Sequence, residues 1–248
     1  MSGFEYYEFM AVDRPLSPQE EEEVGKLSSR ARVSSNRAIS TYNYGSFRGN
    51  SDEVLRKYFD AFLYISNYGT KKLGFRLPTR LLKSQSLCPY EYEYIVEIEP
   101  YEDVSLVLLN LNDEEGGGWI EEEDCVSLLD ALLPLRQDLL LGDPRALYLA
   151  LIAGQDRIEE ETYIDTLPVP PNLKSLTPAL QTLVEFFEIS PDRLKQAIAA
   201  SPDIAPEPFD LTHLGEQEKD IFLQRVLEND PHVRIDLQNL LAEKRVKR

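Results

Sequence analysis

Five times along this chain a residue able to cap a helix stands immediately before a proline: Ser17-Pro18, Asp143-Pro144, Thr177-Pro178, Ser190-Pro191 and Asp230-Pro231. A side-chain oxygen at the N-cap satisfies an orphan N–H of the first turn, and proline has no N–H to leave unsatisfied at the first helical position. Five helix starts are thereby marked. Ser17 also has Glu20 three residues on, completing a capping box, and Glu21, Glu22 and Glu23 lie where the helix dipole favours carboxylates. A further helix is predicted from Ser51, because Val54, Leu55, Tyr58, Phe59, Phe62 and Ile65 recur at spacings of three and four and Gly69 can end it.

Between these helices lie short stretches rich in aromatic or β-branched residues and bounded by Gly or Pro: Phe4 to Val12, Ala38 to Tyr44 and Lys72 to Leu77. They predict β-α-β-α-β with parallel or mixed pairing for the first third of the chain. Tyr92 to Glu99 alternates, with Tyr92, Tyr94, Val96 and Ile98 on one side, and it pairs with Val104 to Leu111 as a hairpin. Apolar helices are expected over Cys125 to Leu141 and Pro144 to Ala153. Residues 154 to 171 turn polar and then proline-rich, which reads as a linker. The fold class is therefore α+β: a mixed sheet with flanking helices over residues 1–153, the acidic and proline-rich linker 154–171, and a small all-α domain over 172–248. In that last domain Leu180, Leu183, Val184, Phe186, Phe187, Leu194, Ile198, Phe222, Leu223, Val226 and Leu227 suit the core of a helical bundle.

Charge is laid out unevenly. Residues 1–87 carry a net +3, residues 88–165 a net −18 and residues 166–248 a net −3, for a total of −18. The N-terminal ten residues lack a basic start and an apolar core, no stretch approaches the ~20 apolar residues of a membrane span, and two cysteines suit a reducing compartment. A cytoplasmic protein is expected.

The segments Phe4-Glu5-Tyr6-Tyr7-Glu8-Phe9 with Asp13-Arg14-Pro15-Leu16-Ser17, Asn67-Tyr68-Gly69-Thr70 with Lys71 and Lys72, and Gly142-Asp143-Pro144-Arg145 resemble a bacterial family with no assigned activity. Members are often encoded beside proteins carrying SWIM-type zinc fingers. The resemblance runs along nearly the whole chain and implies a candidate partner, a SWIM-type zinc-finger protein, with no catalytic residue to carry over. Tyr68 stands where the family commonly has tryptophan.

Catalytic constellations are poorly served. The histidines, His213 and His232, have no nucleophile elbow near them, and Cys88 and Cys125 form no C-x-x-C. Gly116-Gly117-Gly118 lacks phosphate-loop spacing and is flanked by carboxylates, and the acidic run lacks the ligand order of an EF-hand. No metal or cofactor is expected, and no catalytic residue is assigned. Carboxylates and arginines could still build an enzyme if Asp13, Arg14 or Asp60 met Arg76 in a buried pocket.

Two binding surfaces remain. The acidic one comprises Asp113, Glu114, Glu115, Trp119, Glu121, Glu122, Glu123 and Asp124, and it would steer a basic protein partner. The basic one comprises Arg30, Arg32, Arg37, Arg48, Lys71, Lys72 and Arg76, interleaved with aromatic residues as nucleic-acid binding requires. A non-enzymatic interaction or scaffolding module is the leading expectation, and a nucleic-acid-associated factor is the alternative.

Overall fold

The structure, a computed structural model, describes residues 3–112, 120–158, 163–205 and 209–246. Strand β1 (Glu5–Met10) leads to helix α1 (Pro18–Leu27), then β2 (Arg32–Ser34) and β3 (Arg37–Tyr42), α2 (Ser51–Tyr58), and β4 (Ala61–Ser66) and β5 (Thr70–Pro78). The short helix α3 (Ser84–Leu87) precedes the hairpin β6 (Val96–Pro100) and β7 (Val104–Asn112). Nine α-helices follow among the described residues, the first eight being α4 (Glu122–Cys125), α5 (Leu128–Leu132), α6 (Pro134–Leu140), α7 (Arg145–Ala153), α8 (Tyr163–Thr166), α9 (Pro178–Phe186), α10 (Pro191–Ala200) and α11 (Glu216–Leu227). The last described helix is α12 (Val233–Val246). The fold is α+β, and no helix among the described residues is long and apolar enough to cross a membrane.

The seven strands are ordered β2-β3-β1-β4-β5-β7-β6, and every described pairing is antiparallel. This corrects the expectation of parallel or mixed pairing, and the reason lies in the connections. Antiparallel pairing of β1 with β3, and of β3 with β2, leaves β1 and β2 pointing the same way with β3 between them. By the same logic β3 and β4 run parallel to each other with β1 between them. Helices α1 and α2 are therefore crossovers between parallel strands, as their spacing in the sequence implies, but each crossover leaves a slot that an antiparallel strand fills.

The register sorts side chains by face. Phe9, Phe62, Gly74 and Leu108 are successive partners across four strands and share the face covered by Val24 of α1 and Val54 and Leu55 of α2. Gly74 makes that cover possible, since a Cβ there would lie 3.0 Å from both Leu55 Cδ2 and Leu108 Cδ2. The opposite face carries Leu63, Leu73, Leu109 and Val96, also successive partners, and packs under α5, α6 and α7. Being buried on both faces, β4 shows no apolar/polar alternation, and Phe62 and Ile65 belong to this strand instead of a continued helix; α2 ends at its cap, Phe59. Gly69, at φ 87°, turns the β4–β5 hairpin.

Two other expectations are corrected. The Cys125–Leu141 stretch holds the last residue of α4 and then two short helices, α5 and α6, because Ser127 adopts a left-handed φ of 68° and Pro134 removes a donor at the next junction. Residues 92–95 form a turn with Tyr94 at φ 65°, so β6 begins only at Val96.

The chain divides into two compact units, residues 1–203 and 204–248. Helix α9 buries Leu180, Leu183 and Phe186 and packs on α5, α6 and α7, so residues 172–203 lie with the sheet and the boundary falls after the linker 154–171. The described part of that linker is tied to the sheet unit: Tyr90 Oη donates to the Pro168 carbonyl at 2.6 Å, and Tyr163 packs on Tyr92. In the second unit Arg225 bridges Asp230 and Asp236, and Lys244 bonds Glu218 and the His213 carbonyl. Leu223, Val226 and Leu227, expected in a bundle core, are exposed.

Candidate functional site

One end of the sheet gathers the acidic features. Glu5 pairs with Tyr42 and with Ser66, and Thr70 pairs with Asn112, so β1 and β5 begin where β3, β4 and β7 end. The chain leaves the sheet at Asn112 on this rim, and Ile120 lines a cleft of about 390 Å³ with Phe4, Thr41, Asn43, Asn67 and Glu121 to Glu123. A larger cleft, about 890 Å³, is lined by Thr70 and Asn112 of this rim together with Lys72, Tyr92, Glu93, Tyr94, Glu97 and Asn110 among others. Tyr94 is 72% exposed there in its left-handed conformation, with its N–H donated to Glu97 Oε1.

The candidate acidic residues divide accordingly. Asp113, Glu114, Glu115 and Trp119 lie outside the described residues. Glu121, Glu123 and Asp124 are exposed at the start of α4, with Asp124 Oδ2 accepting the Glu121 N–H at 3.0 Å. Glu122 turns inward, accepting from Thr41 Oγ1 at 2.8 Å and pairing with Arg32. Burial opposes its ionisation, but the bonds from Arg32 and Thr41 hold its carboxyl below the usual range.

The basic block is largely matched by the protein's own carboxylates. Arg32 pairs with Glu122, Arg37 with Glu8 and Asp130, Lys71 with Glu188, Lys72 with Asp52 and Arg76 with Asp60. Five of the seven candidate nucleic-acid residues are thus ion-paired, several to positions 90 or more residues away. The other two, Arg30 and Arg48, line a third cleft.

The carboxylates and arginines that could have built an enzyme do meet. Asp60, 1% exposed, accepts from Arg76 through Oδ1 and from the N–H groups of Val12 and Asp13 through Oδ2, at 2.7–3.2 Å. Arg136 forks onto Asp13 at 2.9 and 2.7 Å and donates its Nε–H to the Arg76 carbonyl. None of the four lines any of these clefts. This is a satisfied internal network that ties β1, β4, β5 and α6 together. Sequence reasoning passed over Arg136, although a single basic residue within the apolar run Leu128–Leu141 was the available signal.

A second buried carboxylate is less well served. Glu8 is fully buried; Tyr6 Oη donates to its Oε2 at 3.0 Å, while Arg37 Nη1 stands 2.8 Å from Oε1 at an angle that makes no hydrogen bond. Burial raises the Glu8 pKa, against the Tyr6 bond and the Arg37 charge. Burial also pushes the nearby Cys125 thiol up to about 12, so it is inert as a nucleophile. A carboxyl with a raised folded-state pKa contributes stability that is complete below its ordinary value and is lost as pH rises through the raised one. Glu8→Gln stays neutral throughout, so its stability relative to the parent protein should improve as pH rises above the ordinary carboxylate range. Glu20, held down at about 2 by Arg14 and the capping box, drifts the opposite way but equally in both proteins, and so cancels. Urea midpoints at several pH values measure the difference; a constant gap would show that ionised Glu8 carries no penalty.

His213 Nε2 is 3.5 Å from Asp210, and the His232 N–H donates to Asp230. Among the described residues no three His, Cys, Asp or Glu side chains converge as a metal site requires. No family model, curated protein or solved structure matches this chain.

Proposed function

We propose that this chain is a non-enzymatic interaction module, working in the cytoplasm, whose acidic rim receives a basic segment of a partner protein. The supporting observation is the uneven way its charges are placed: the bases of residues 24–87 are mostly consumed inside the fold, whereas Glu123 and Asp124 at the start of α4 and Glu93 beside the larger cleft stay exposed. Ion pairing of the basic block supports this reading over polynucleotide binding, because a phosphate backbone would have to displace existing carboxylate partners. An acidic rim accelerates encounter with a basic surface, and exposed tyrosines such as Tyr94 can receive lysine or arginine side chains on their faces. A zinc-finger protein of the SWIM type is the partner that the family resemblance offers.

The test is affinity capture with tagged parent and Glu121→Lys/Glu123→Lys proteins at low and moderate salt. Glu122 is left alone because it holds Arg32. Roughly tenfold lower recovery of the partner by the variant, with a matching salt sensitivity in the parent, is expected. Equal recovery by both proteins at every salt concentration would remove the acidic rim from the interface.

A further inference from the structure

Arg30 and Arg48 share a cleft of about 410 Å³ lined also by Leu27, Ser28, Ser29, Tyr42, Tyr44, Gly45 and Ser46. The volume lies in the range of small-molecule sites. In a chain with 44 carboxylates, these two exposed arginines have no described carboxylate partner, while the other five members of the basic set do. The cleft is also held in shape. Tyr42 Oη donates to Ser28 Oγ at 2.6 Å, the Arg30 N–H donates to the same oxygen at 3.1 Å, and the Arg30 guanidinium rests 5.0 Å over the Tyr42 ring. Across the cleft, Ser46 Oγ donates to Glu5 Oε1 at 2.8 Å and Phe47 packs on Tyr7. Gly45, at φ 78°, reverses the chain between these anchors and leaves Tyr44 74% exposed. Glu5, which anchors Ser46, already accepts a hydroxyl at each oxygen, from Ser46 and from Tyr7.

We propose that this cleft binds a nucleoside monophosphate, with the phosphate taken by Arg30 and Arg48 and the base stacked on Tyr44. Two guanidinium groups supply the forked donors that a terminal phosphate needs, and an exposed aromatic ring supplies a face for a base of any identity. A small ligand suits the cleft better than a polynucleotide, since the other five members of the basic set are ion-paired and a long strand would meet a chain of net −18. The site is independent of the acidic rim proposed above.

Calorimetric titration of the full chain with AMP, inorganic phosphate and a thymidine oligonucleotide tests the assignment. AMP should bind with a dissociation constant below millimolar, and Arg30→Ala/Arg48→Ala should weaken it about a hundredfold. Tyr44→Ala should weaken AMP about five- to tenfold and leave inorganic phosphate unchanged. All three residues are exposed, so these variants should keep the parent melting temperature; if the double variant does not, displacement of AMP by pyrophosphate in the parent protein gives the same readout. Absence of AMP binding at millimolar concentration, or binding unaffected by loss of both arginines, overturns the proposal. An oligonucleotide that binds more tightly than AMP through the same arginines also overturns it and assigns the cleft to polynucleotides.

Discussion

Asp60→Ala should lower the unfolding free energy of the sheet unit by about 3–5 kcal/mol, the range seen when one partner of a buried ionic network is removed. The substitution orphans two backbone N–H groups, those of Val12 and Asp13, and takes from Arg76 the carboxylate that receives both its Nε and Nη2. It also leaves the fork of Arg136 on Asp13 with one carboxylate facing two guanidinium groups. Asp60→Asn should do little better, since an amide turns donors toward a site that already contains only donors. A control lies on α1, where Glu22 pairs with Lys26 and both side chains are about two-thirds exposed or more; Glu22→Ala should cost under about 1 kcal/mol. Urea denaturation compares them directly. A loss below about 1 kcal/mol for Asp60→Ala would mean that the network orients these strands without stabilising them.

Gly74→Val should destabilise by about 1–3 kcal/mol, against what strand propensity alone predicts. Valine is among the best strand formers and glycine among the worst, so an unpacked position would gain from the change. At Gly74 even the first added carbon meets Leu55 and Leu108 at 3.0 Å and Phe62 at 3.5 Å, and all three are fully buried. Two further methyls can be housed only by lifting α2 off the sheet. Increased stability would refute this account of how α2 is seated.

The same position shows why parts of the fold were legible in the sequence and parts were not. Ser17 with Glu20, and Thr177 before Pro178, cap helices as read, because a cap depends on residues three positions apart. Strand β4 was hidden: Phe59, Phe62 and Ile65 prolong the helical spacing of α2, and a strand buried on both faces has no alternation to reveal it. The α+β class and the surplus of acid were likewise readable from the order of residues. Which acids would stay outside was not, because Arg32 finds Glu122 and Arg37 finds Asp130 only after the sheet has brought them together. For the same reason Arg30 and Arg48 looked like members of one long basic face until their neighbours were seen to be spoken for.

The slots left by the two crossovers have a kinetic consequence. Strand β1 precedes both its partners in sequence, and Glu5 must wait for Tyr42 on one side and Ser66 on the other. By contrast β4 with β5, and β6 with β7, close through short turns and can form early, since loop closure over a few residues costs little entropy. The side of β4 that later receives β1 is then a bare ladder flanked by Phe62, Leu63 and Ile65. Until β1 threads in between β3 and β4, that ladder can accept a strand from another molecule just as well, so the interval before insertion is when this chain is most exposed to aggregation.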